Sequence, residues 1–252
     1  MTAVHYEDMR NKVALVTGAA SGIGEACARQ FAAQGCRLLL MDRDEERLHG
    51  LSQALGAIAA PGSVTDEATV SAAVDSCLRH FGGLDYAVNS AGVAGAPAAI
   101  AETTLDAWQE VININLTGVF LCLKHQLRVM QAAGFGAIVN IASGAGVIAT
   151  PHLSPYCASK HGVLGLTRTA AMELATGGVR INAVLPGSTQ TPMLEASLQQ
   201  GPQLEKMILA SIPCGRMGSA EEIAAAALWL CSSQASYVNG HSLVVDGGTL
   251  CR

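Results

Sequence analysis

The chain has 252 residues, of which 50% are hydrophobic, 14% are charged and 4% are aromatic. This length and composition can supply a large aliphatic core, so we expect one domain that covers residues 1–252. The net charge of −5 and the lack of any run of Lys or Arg argue against nucleic acid or an anionic membrane surface as a partner.

The first ten residues contain acids and no long apolar stretch, and no apolar run approaches the roughly 18 residues that span a bilayer. The eight cysteines form no CxxC pair, and the seven histidines do not cluster with them at ligand spacing. We therefore expect a cytoplasmic protein with free thiols and no metal site.

Short runs rich in Val, Leu and Ile alternate with longer helical patterns along the whole chain. Runs that are apolar on both faces are typical of parallel strands covered by helices. The predicted strands cover residues 12–17, 36–42, 84–89, 137–142, 179–186 and 242–248, with a weaker strand within 56–62. The predicted helices cover residues 22–35, 44–56, 66–82, 105–134, 155–178 and 219–233. This alternation predicts an α/β fold of the Rossmann type, a doubly wound parallel sheet of about seven strands with helices on both faces.

One long segment, residues 188–218, has no clear period. Its helical stretches are interrupted by Gly and Pro. We predict that this segment is a movable lid over a site, and the alternative is an ordinary surface excursion.

The first predicted strand leads directly into a glycine-rich turn, TGAASGIG at 17–24. Gly18, Gly22 and Gly24 permit a tight turn and a close backbone approach, so that amide groups and the next helix N-terminus can face a pyrophosphate. The same glycines also suit a tight connection that binds nothing. The strand-turn-helix context favours a dinucleotide.

The second predicted strand ends at Asp42, 24 residues after Gly18. An acid at this position can accept hydrogen bonds from the adenosine ribose hydroxyls and repels a 2′-phosphate, which favours NAD over NADP. Arg43 follows directly and argues the other way, because an arginine can accept that phosphate. Since Ser21 in the turn supplies no second positive charge, we predict NAD as the cofactor.

Tyr156 lies one helical turn before Lys160 in the stretch YCASK, so the two side chains share a helix face. An unperturbed tyrosine has a pKa of about 10 and is mostly protonated at neutral pH. A nearby ammonium group favours the phenolate, which can take the hydroxyl proton when a hydride leaves a secondary alcohol. Taken alone, such a pair is more often an ordinary exposed polar pair on a helix than a catalytic one.

Together these motifs resemble the short-chain dehydrogenase/reductase family over essentially the whole chain. TGAASGIG is similar to its TGxxxGxG turn, NSAG at 89–92 to its NNAG, and NLTG at 115–118 to its helix-kink motif. Ser143 lies 13 residues before Tyr156, as the catalytic serine of the family does, and YCASK matches its YxxxK. PGSTQT at 186–191 and VVDGG near the end match the remaining motifs.

The resemblance implies roles for four residues. Tyr156 would be the general acid/base, and Lys160 would lower its pKa and bind the nicotinamide ribose. Ser143 would hold the substrate oxygen, and Asn115 would support a water that links Lys160 to solvent. The implied cofactor-binding residues are Gly18, Ser21, Gly22, Ile23, Gly24, Asp42, Val64, Asn89, Ala91, Gly92, Tyr156, Lys160, Pro186, Gly187, Thr189 and Thr191.

Three positions depart from the family pattern. Ser90 replaces the second Asn of NNAG, and Ser63 stands where an Asp often contacts adenine. Thr189 occupies a position that is often apolar. We expect the Val64 contact to persist, a weaker or different side-chain hydrogen bond to adenine, and little effect on nicotinamide binding.

The predicted activity is an NAD(H)-dependent interconversion of a neutral secondary alcohol and its ketone. One alternative is an NADPH-dependent 3-oxoacyl-thioester reductase, which would ordinarily want basic residues near the ribose 2′ position. Another is a catalytically silent dinucleotide-binding sensor, which predicts damage to the Tyr-Lys pair. The substrate class is inferred from an apolar roof without Arg or Lys near the reacting carbon: Val147, Ile148, Pro151, Leu153, Met193 and Leu194. GVFLCLKHQ and TPMLEAS also resemble bacterial family members that oxidise alicyclic alcohols and diols.

The resemblance also implies a homotetramer. In family members, long helices corresponding to residues 106–133 and 155–176 pair between subunits, and these helices here are apolar and rich in small residues. The apolar C-terminal stretch HSLVVDGG would supply another contact.

Overall fold

The computed structural model of the protein describes residues 5–199 and 201–251. The strands are β1 (Val13–Thr17), β2 (Arg37–Asp42), β3 (Ile58–Pro61), β4 (Tyr86–Asn89), β5 (Gly136–Ile141), β6 (Val179–Pro186), β7 (Thr189–Gln190), β8 (Gly218–Ser219) and β9 (Ser242–Val245). The α-helices are α1 (Gly22–Ala33), α2 (Glu45–Leu55), α3 (Glu67–Phe81), α4 (Leu105–Ile112), α5 (Gly118–Ala133), α6 (Ser154–Glu173), α7 (Pro192–Leu198), α8 (Pro202–Ser211) and α9 (Ala220–Cys231).

The main sheet has seven parallel strands in the order β3-β2-β1-β4-β5-β6-β9. The chain winds outward from β1 in one direction to β3 and then, from β4, in the other direction to β9. This confirms the predicted doubly wound parallel sheet. In such sheets ligands bind outside the carboxyl ends of the strands, at the point where the winding direction changes, which here lies between β1 and β4.

The central strands are buried on both faces because apolar side chains cover the sheet from each side. Every residue of β1, β4 and β5 is buried. One core packs α3, α5 and α6 against the sheet, and the other packs α1, α2 and α9 against its opposite face. The continuous apolar strands seen in the sequence follow from this double cover.

Local signals set the helix boundaries. The Asp44 side chain accepts a hydrogen bond from the Arg47 amide at the start of α2, and Gly56 ends that helix with a φ of 64°. At α9, Ser219 and Glu222 form a reciprocal capping box. Side-chain oxygens at a helix start satisfy amides that lack a partner within the helix, and glycine adopts the left-handed C-terminal conformation without strain.

Three predicted elements differ from the structure, one of them the helix predicted over 155–178, which ends at Glu173. The helix predicted over 105–134 is divided, because a π-helical turn, Asn113–Thr117, lies between α4 and α5. The last strand, predicted over 242–248, ends at Val245. It stops there because Gly247 and Gly248 have φ values of 63° and 90°, outside the strand region, and begin a turn.

Candidate active site

The glycine-rich turn joins β1 to α1 at the carboxyl edge of the sheet. Gly18 and Gly22 have φ values of 65° and 54°. A Cβ on Gly18 would lie 2.7 Å from the Ala91 Cα, and one on Gly24 would collide with the Gly18 carbonyl oxygen. Only glycine fits at Gly18 and Gly24, so the turn can pack closely against the loop after β4 and lead directly into α1. This geometry suits the pyrophosphate of a dinucleotide.

Asp42, at the end of β2, is tied to the same turn. One of its carboxylate oxygens accepts a hydrogen bond from the Ala20 amide at 2.9 Å, and the other accepts one from the Asp44 amide at 2.9 Å. The carboxylate therefore braces the glycine-rich turn, while each oxygen keeps a lone pair for another donor. Arg43 is exposed beside it.

Val64 is buried against the start of α5, where a Cβ on Gly118 would lie 2.6 Å from the valine Cγ2. The neighbouring Ser63 hydroxyl hydrogen-bonds to the Thr65 hydroxyl at 2.8 Å. The valine thus has a defined place near the predicted adenine region. The serine hydroxyl is partly engaged by its neighbour.

Asn89 ends β4 with its side chain turned inward. Its amide nitrogen donates to the Gln126 Oε1 at 3.1 Å and to the Asn140 Oδ1 at 2.9 Å, and its oxygen accepts from the Gln126 Nε2 at 2.8 Å. The side chain is 1% exposed, and the partners of its amide group all lie within the fold. Contact with a cofactor at this position would therefore come from the backbone of Asn89 and of the following Ala91 and Gly92.

Tyr156 lies in the first turns of α6, partly buried and facing the loop after β5. Burial raises the pKa of the Tyr156 hydroxyl, whereas its hydrogen bond to the Ser143 side chain lowers that pKa. The Ser143 hydroxyl also accepts a hydrogen bond from the Ala145 amide at 3.1 Å, which fixes its direction. The two residues named from the sequence thus meet at the carboxyl edge of β5.

Lys160 is 5% exposed, and its Nζ lies 5.5 Å from the centre of the Tyr156 ring. The ammonium group donates a hydrogen bond to the Ile141 carbonyl oxygen at 2.9 Å. Burial lowers the pKa of Lys160 to about 8. The predicted helix-face pairing is therefore present, although burial also weakens the tendency of Lys160 to carry charge.

Asn115 occupies the π-helical turn and is fully buried. Its side chain accepts from the Val93 amide at 2.8 Å and donates to the Val93 carbonyl oxygen at 2.9 Å and to the Ser159 hydroxyl at 3.1 Å. A Cβ on Gly92 would lie 3.2 Å from the Asn115 Oδ1 and 3.7 Å from the Lys160 Nζ. The asparagine thus joins α4–α5 to the β4 loop beside the lysine.

Downstream of β6, the backbone returns to the glycine-rich turn. Thr189 is buried, with its hydroxyl donating to the Gly187 carbonyl oxygen at 3.0 Å. Thr191 accepts from the Leu194 amide at the start of α7, and its Cγ2 lies 3.3 Å from a Cβ built on Gly22. The segment that begins at Pro186 therefore faces the glycine-rich turn across the switch point.

A family model described as enoyl-(acyl carrier protein) reductase matches residues 18–249. The chain belongs to the short-chain dehydrogenase/reductase family. Dehydrogenases of this family use nicotinamide dinucleotide cofactors, and the turn described above fits such a group.

Several similar members of the family are named for ring compounds, whereas one that is 40% identical over 245 residues is named 2-(R)-hydroxypropyl-CoM dehydrogenase, of Xanthobacter autotrophicus. The chain is 43% identical over 250 residues to cis-4-hydroxycyclohexanecarboxylate dehydrogenase of Sinomonas cyclohexanicum, an alignment that covers 96% of this chain and 98% of that protein. It is 38% identical over 253 residues to cyclohexanol dehydrogenase of an Acinetobacter species, with 98% of each chain covered. The crystal structure of levodione reductase matches with a TM-score of 0.91 and 38% identity, covering 95% of this chain and 97% of that one.

Three of the apolar side chains that were predicted to cover the substrate site are exposed in the structure. Val147, Ile148 and Met193 are 46%, 47% and 41% exposed. Arg216, near the end of the segment 188–218, makes a two-pronged ion pair with Glu222 at 2.8 and 2.7 Å. Its charge is already paired near the start of α9.

Several residues around the site were not predicted from the sequence. Val93 and Ser159 hold the Asn115 side chain, and Ile141 holds the Lys160 ammonium. Ser159 lies inside YCASK, so its position was a signal, but Val93 and Ile141 act through backbone atoms that any side chain would supply. Within residues 5–199 and 201–251, no helix is long and apolar enough to cross a membrane, and no cluster of metal-ligating side chains is present.

Proposed function

We propose that the protein is an NAD(H)-dependent oxidoreductase that interconverts a neutral secondary alcohol, carried on a ring, and its ketone. The observation that carries this proposal is the meeting of Tyr156, Ser143 and Lys160 at the carboxyl edge of the sheet, beside a turn shaped for a dinucleotide. A hydroxyl, a phenol and an ammonium group together provide a substrate anchor, an acid/base and a cation.

In the proposed reaction, Ser143 holds the substrate oxygen and Tyr156 takes the proton from it during oxidation. A nicotinamide dinucleotide held by the glycine-rich turn and by Lys160 would supply the hydride acceptor and, in its oxidised form before the transfer, a positive charge near the phenol. Because burial raises the pKa of Tyr156, the phenolate depends on nearby positive charge and on the Ser143 hydrogen bond. Lys160 supplies that charge from one helical turn away, and Asn115 organises the backbone beside the Lys160 ammonium.

The cofactor preference is argued from Asp42. Each of its oxygens already accepts one backbone hydrogen bond, which orients the carboxylate, and each retains capacity for a ribose hydroxyl. A 2′-phosphate would meet this negative charge, so NAD is favoured over NADP. Exposed Arg43 is the residue that would permit some use of NADP.

The substrate class is supported by exposed apolar side chains that closely follow Ser143 and Thr191 in the chain, and by the ring alcohols named for similar proteins. Apolar walls gain from contact with a ring at about 25 cal/mol per Å² of buried surface. One similar protein is named for a hydroxycyclohexanecarboxylate, which is an anion. A charged ring alcohol is therefore the most informative competitor of the neutral one.

We further propose that residues 188–218, which include α7 and α8, close over the bound substrate.

The test is a cofactor-reduction assay at mildly alkaline pH with NAD and NADP. The panel contains cyclohexanol, propan-2-ol, cis-4-hydroxycyclohexanecarboxylate and a sugar phosphate. We expect NAD to support the higher kcat/KM and the neutral ring alcohol to exceed the charged compounds. A tenfold advantage for a charged substrate would contradict the proposed substrate class. NADPH-linked reduction of a 3-oxoacyl thioester as the best reaction would contradict both the cofactor and the substrate.

A further inference from the structure

The C-terminal turn, residues 246–251, begins at the same edge of the sheet as the catalytic residues. β9 runs parallel to β6, so both strands end beside the loop that carries Ser143. The Gly187 amide donates to the Val245 carbonyl oxygen at 3.0 Å, and a Cβ on Gly187 would lie 2.8 Å from the Asp246 Cα. The turn is thus packed tightly against the backbone that follows β6.

Asp246 determines the shape of this turn. Its two carboxylate oxygens accept hydrogen bonds from the Gly248 amide at 2.8 Å and the Leu250 amide at 2.7 Å. Its carbonyl oxygen accepts from the Thr249 hydroxyl at 2.9 Å. Hydrogen bonds to a charged acceptor are stronger than neutral ones, so one side chain fixes the path of the next four residues.

Leu250 is thereby directed toward the catalytic loop. A Cβ on Gly144, the residue after Ser143, would lie 3.8 and 3.9 Å from the two Leu250 methyl carbons and 3.8 Å from the Pro186 carbonyl oxygen. These are van der Waals distances. Leu250 is only partly buried by the protein, so part of its apolar surface stays open beside the catalytic serine.

The same turn also holds the end of the segment proposed as a lid. The Cys214 amide donates to the Gly247 carbonyl oxygen at 3.1 Å, and a Cβ on Gly247 would lie 2.9 Å from the Ile212 Cγ2. Leu250 therefore lies in a turn that contacts both the catalytic loop and the chain that follows α8. An apolar residue in this position is suited to contact the part of a substrate distant from the reacting carbon.

We propose that Leu250 forms a wall of the substrate site and discriminates between ring and small alcohols, and that Asp246 is the residue that positions it. This inference rests on the proposed oxidation of a ring alcohol. A ring reaches the wall and gains apolar contact there, whereas propan-2-ol, which has only two methyl groups on its carbinol carbon, gains little.

The first experiment replaces Leu250→Ala and measures kcat/KM for cyclohexanol and for propan-2-ol at saturating NAD. We expect kcat/KM for cyclohexanol to fall about fivefold to tenfold, mainly through KM, while that for propan-2-ol changes less than about twofold. Leu250→Phe should lower kcat/KM for a 4-alkylcyclohexanol, whereas Leu250→Ala should not lower it. Leu78→Ala, the same change at an exposed position of α3, is the matched control and should leave both values unchanged.

The second experiment tests the positioning role of Asp246. Asp246→Asn should lower the ratio of kcat/KM for cyclohexanol to kcat/KM for propan-2-ol, as Leu250→Ala does. The double variant should have a ratio no lower than that of Leu250→Ala alone. Additive losses would contradict action through Leu250. A melting temperature for each variant separates this effect from loss of folding.

The two proposals fail differently. If the wild-type protein oxidises neither alcohol with either cofactor, the proposed function is wrong, and so is the role of Leu250 inferred from it. If the wild-type protein is active but neither Leu250→Ala nor Leu250→Phe changes the ratio of kcat/KM for cyclohexanol to that for propan-2-ol, only the proposed wall is overturned.

Discussion

At the scale of single residues, the site balances burial against charge around one phenol. Burial raises the pKa of Tyr156 and lowers that of Lys160, so both groups are biased toward their neutral forms. The hydrogen bond from Ser143 opposes this bias at Tyr156. Ser143 therefore has an electrostatic effect in addition to its proposed contact with the substrate.

This balance predicts the pH dependence of Ser143→Ala. Oxidation requires the phenolate, so kcat/KM rises with pH through the Tyr156 pKa. Removing a hydrogen bond that lowers this pKa must move the rising limb to higher pH, and losing the substrate anchor should also reduce the rate about 10- to 1,000-fold. Profiles of kcat/KM against pH for the wild type and for Ser143→Ala test this. Ser76→Ala, in the second half of α3, is the control. A rising limb that stays at the wild-type pH in Ser143→Ala would contradict the role of the hydrogen bond.

At the scale of elements, a buried polar network joins four of them beneath the site. Asn89 at the end of β4 bonds to Gln126 on α5 and to Asn140 on β5, and the Asn140 Nδ2 donates to the Thr167 hydroxyl on α6 at 2.9 Å. All four residues are at most 1% exposed. Because each amide has its partners, the network links β4, which precedes the loop that contains Ala91 and Gly92, to α6, which carries Tyr156.

We predict that Gln126→Leu lowers the free energy of unfolding by about 2–3 kcal/mol, because the Asn89 oxygen loses its donor while buried. Urea denaturation measures this loss. Gln131→Leu, the same change at an exposed position of α5, should cost less than about 0.5 kcal/mol. Equal losses in the two variants would show that the network is not the cause.

The sequence was informative for elements and for residues with a defined spacing. Strand segments that are apolar on both faces predict a parallel sheet covered by helices. Tyr156 and Lys160 meet because four residues make about one helical turn. It was uninformative where the partner is remote in the chain. Neither the inward orientation of Asn89 nor the contact of Leu250 with the Ser143 loop has a local pattern, because each depends on how distant strands pack.

At the scale of the whole molecule, large apolar side chains remain exposed on the two helices expected to pair between subunits. Phe120 on α5 is 47% exposed and Met172 on α6 is 79% exposed. Such surfaces are commonly covered in assemblies. We predict a homotetramer, with a light-scattering mass of about four times the 25.9 kDa of one chain. Phe120→Glu should give a smaller species, and a monomer mass for the wild type at micromolar concentration would contradict the prediction.

The most direct test of the account is the replacement Tyr156→Phe. The phenylalanine ring preserves packing but lacks the ionisable oxygen, so turnover of the best ring alcohol should fall at least about 100-fold. The Kd for NAD, measured by titration, should stay within about threefold of the wild-type value, since the glycine-rich turn and Asp42 are untouched. Tyr237→Phe, at a fully exposed position, is the control and should retain wild-type turnover. Retention of more than a tenth of the wild-type rate by Tyr156→Phe, with NAD still bound, would contradict the assignment of Tyr156 as the acid/base.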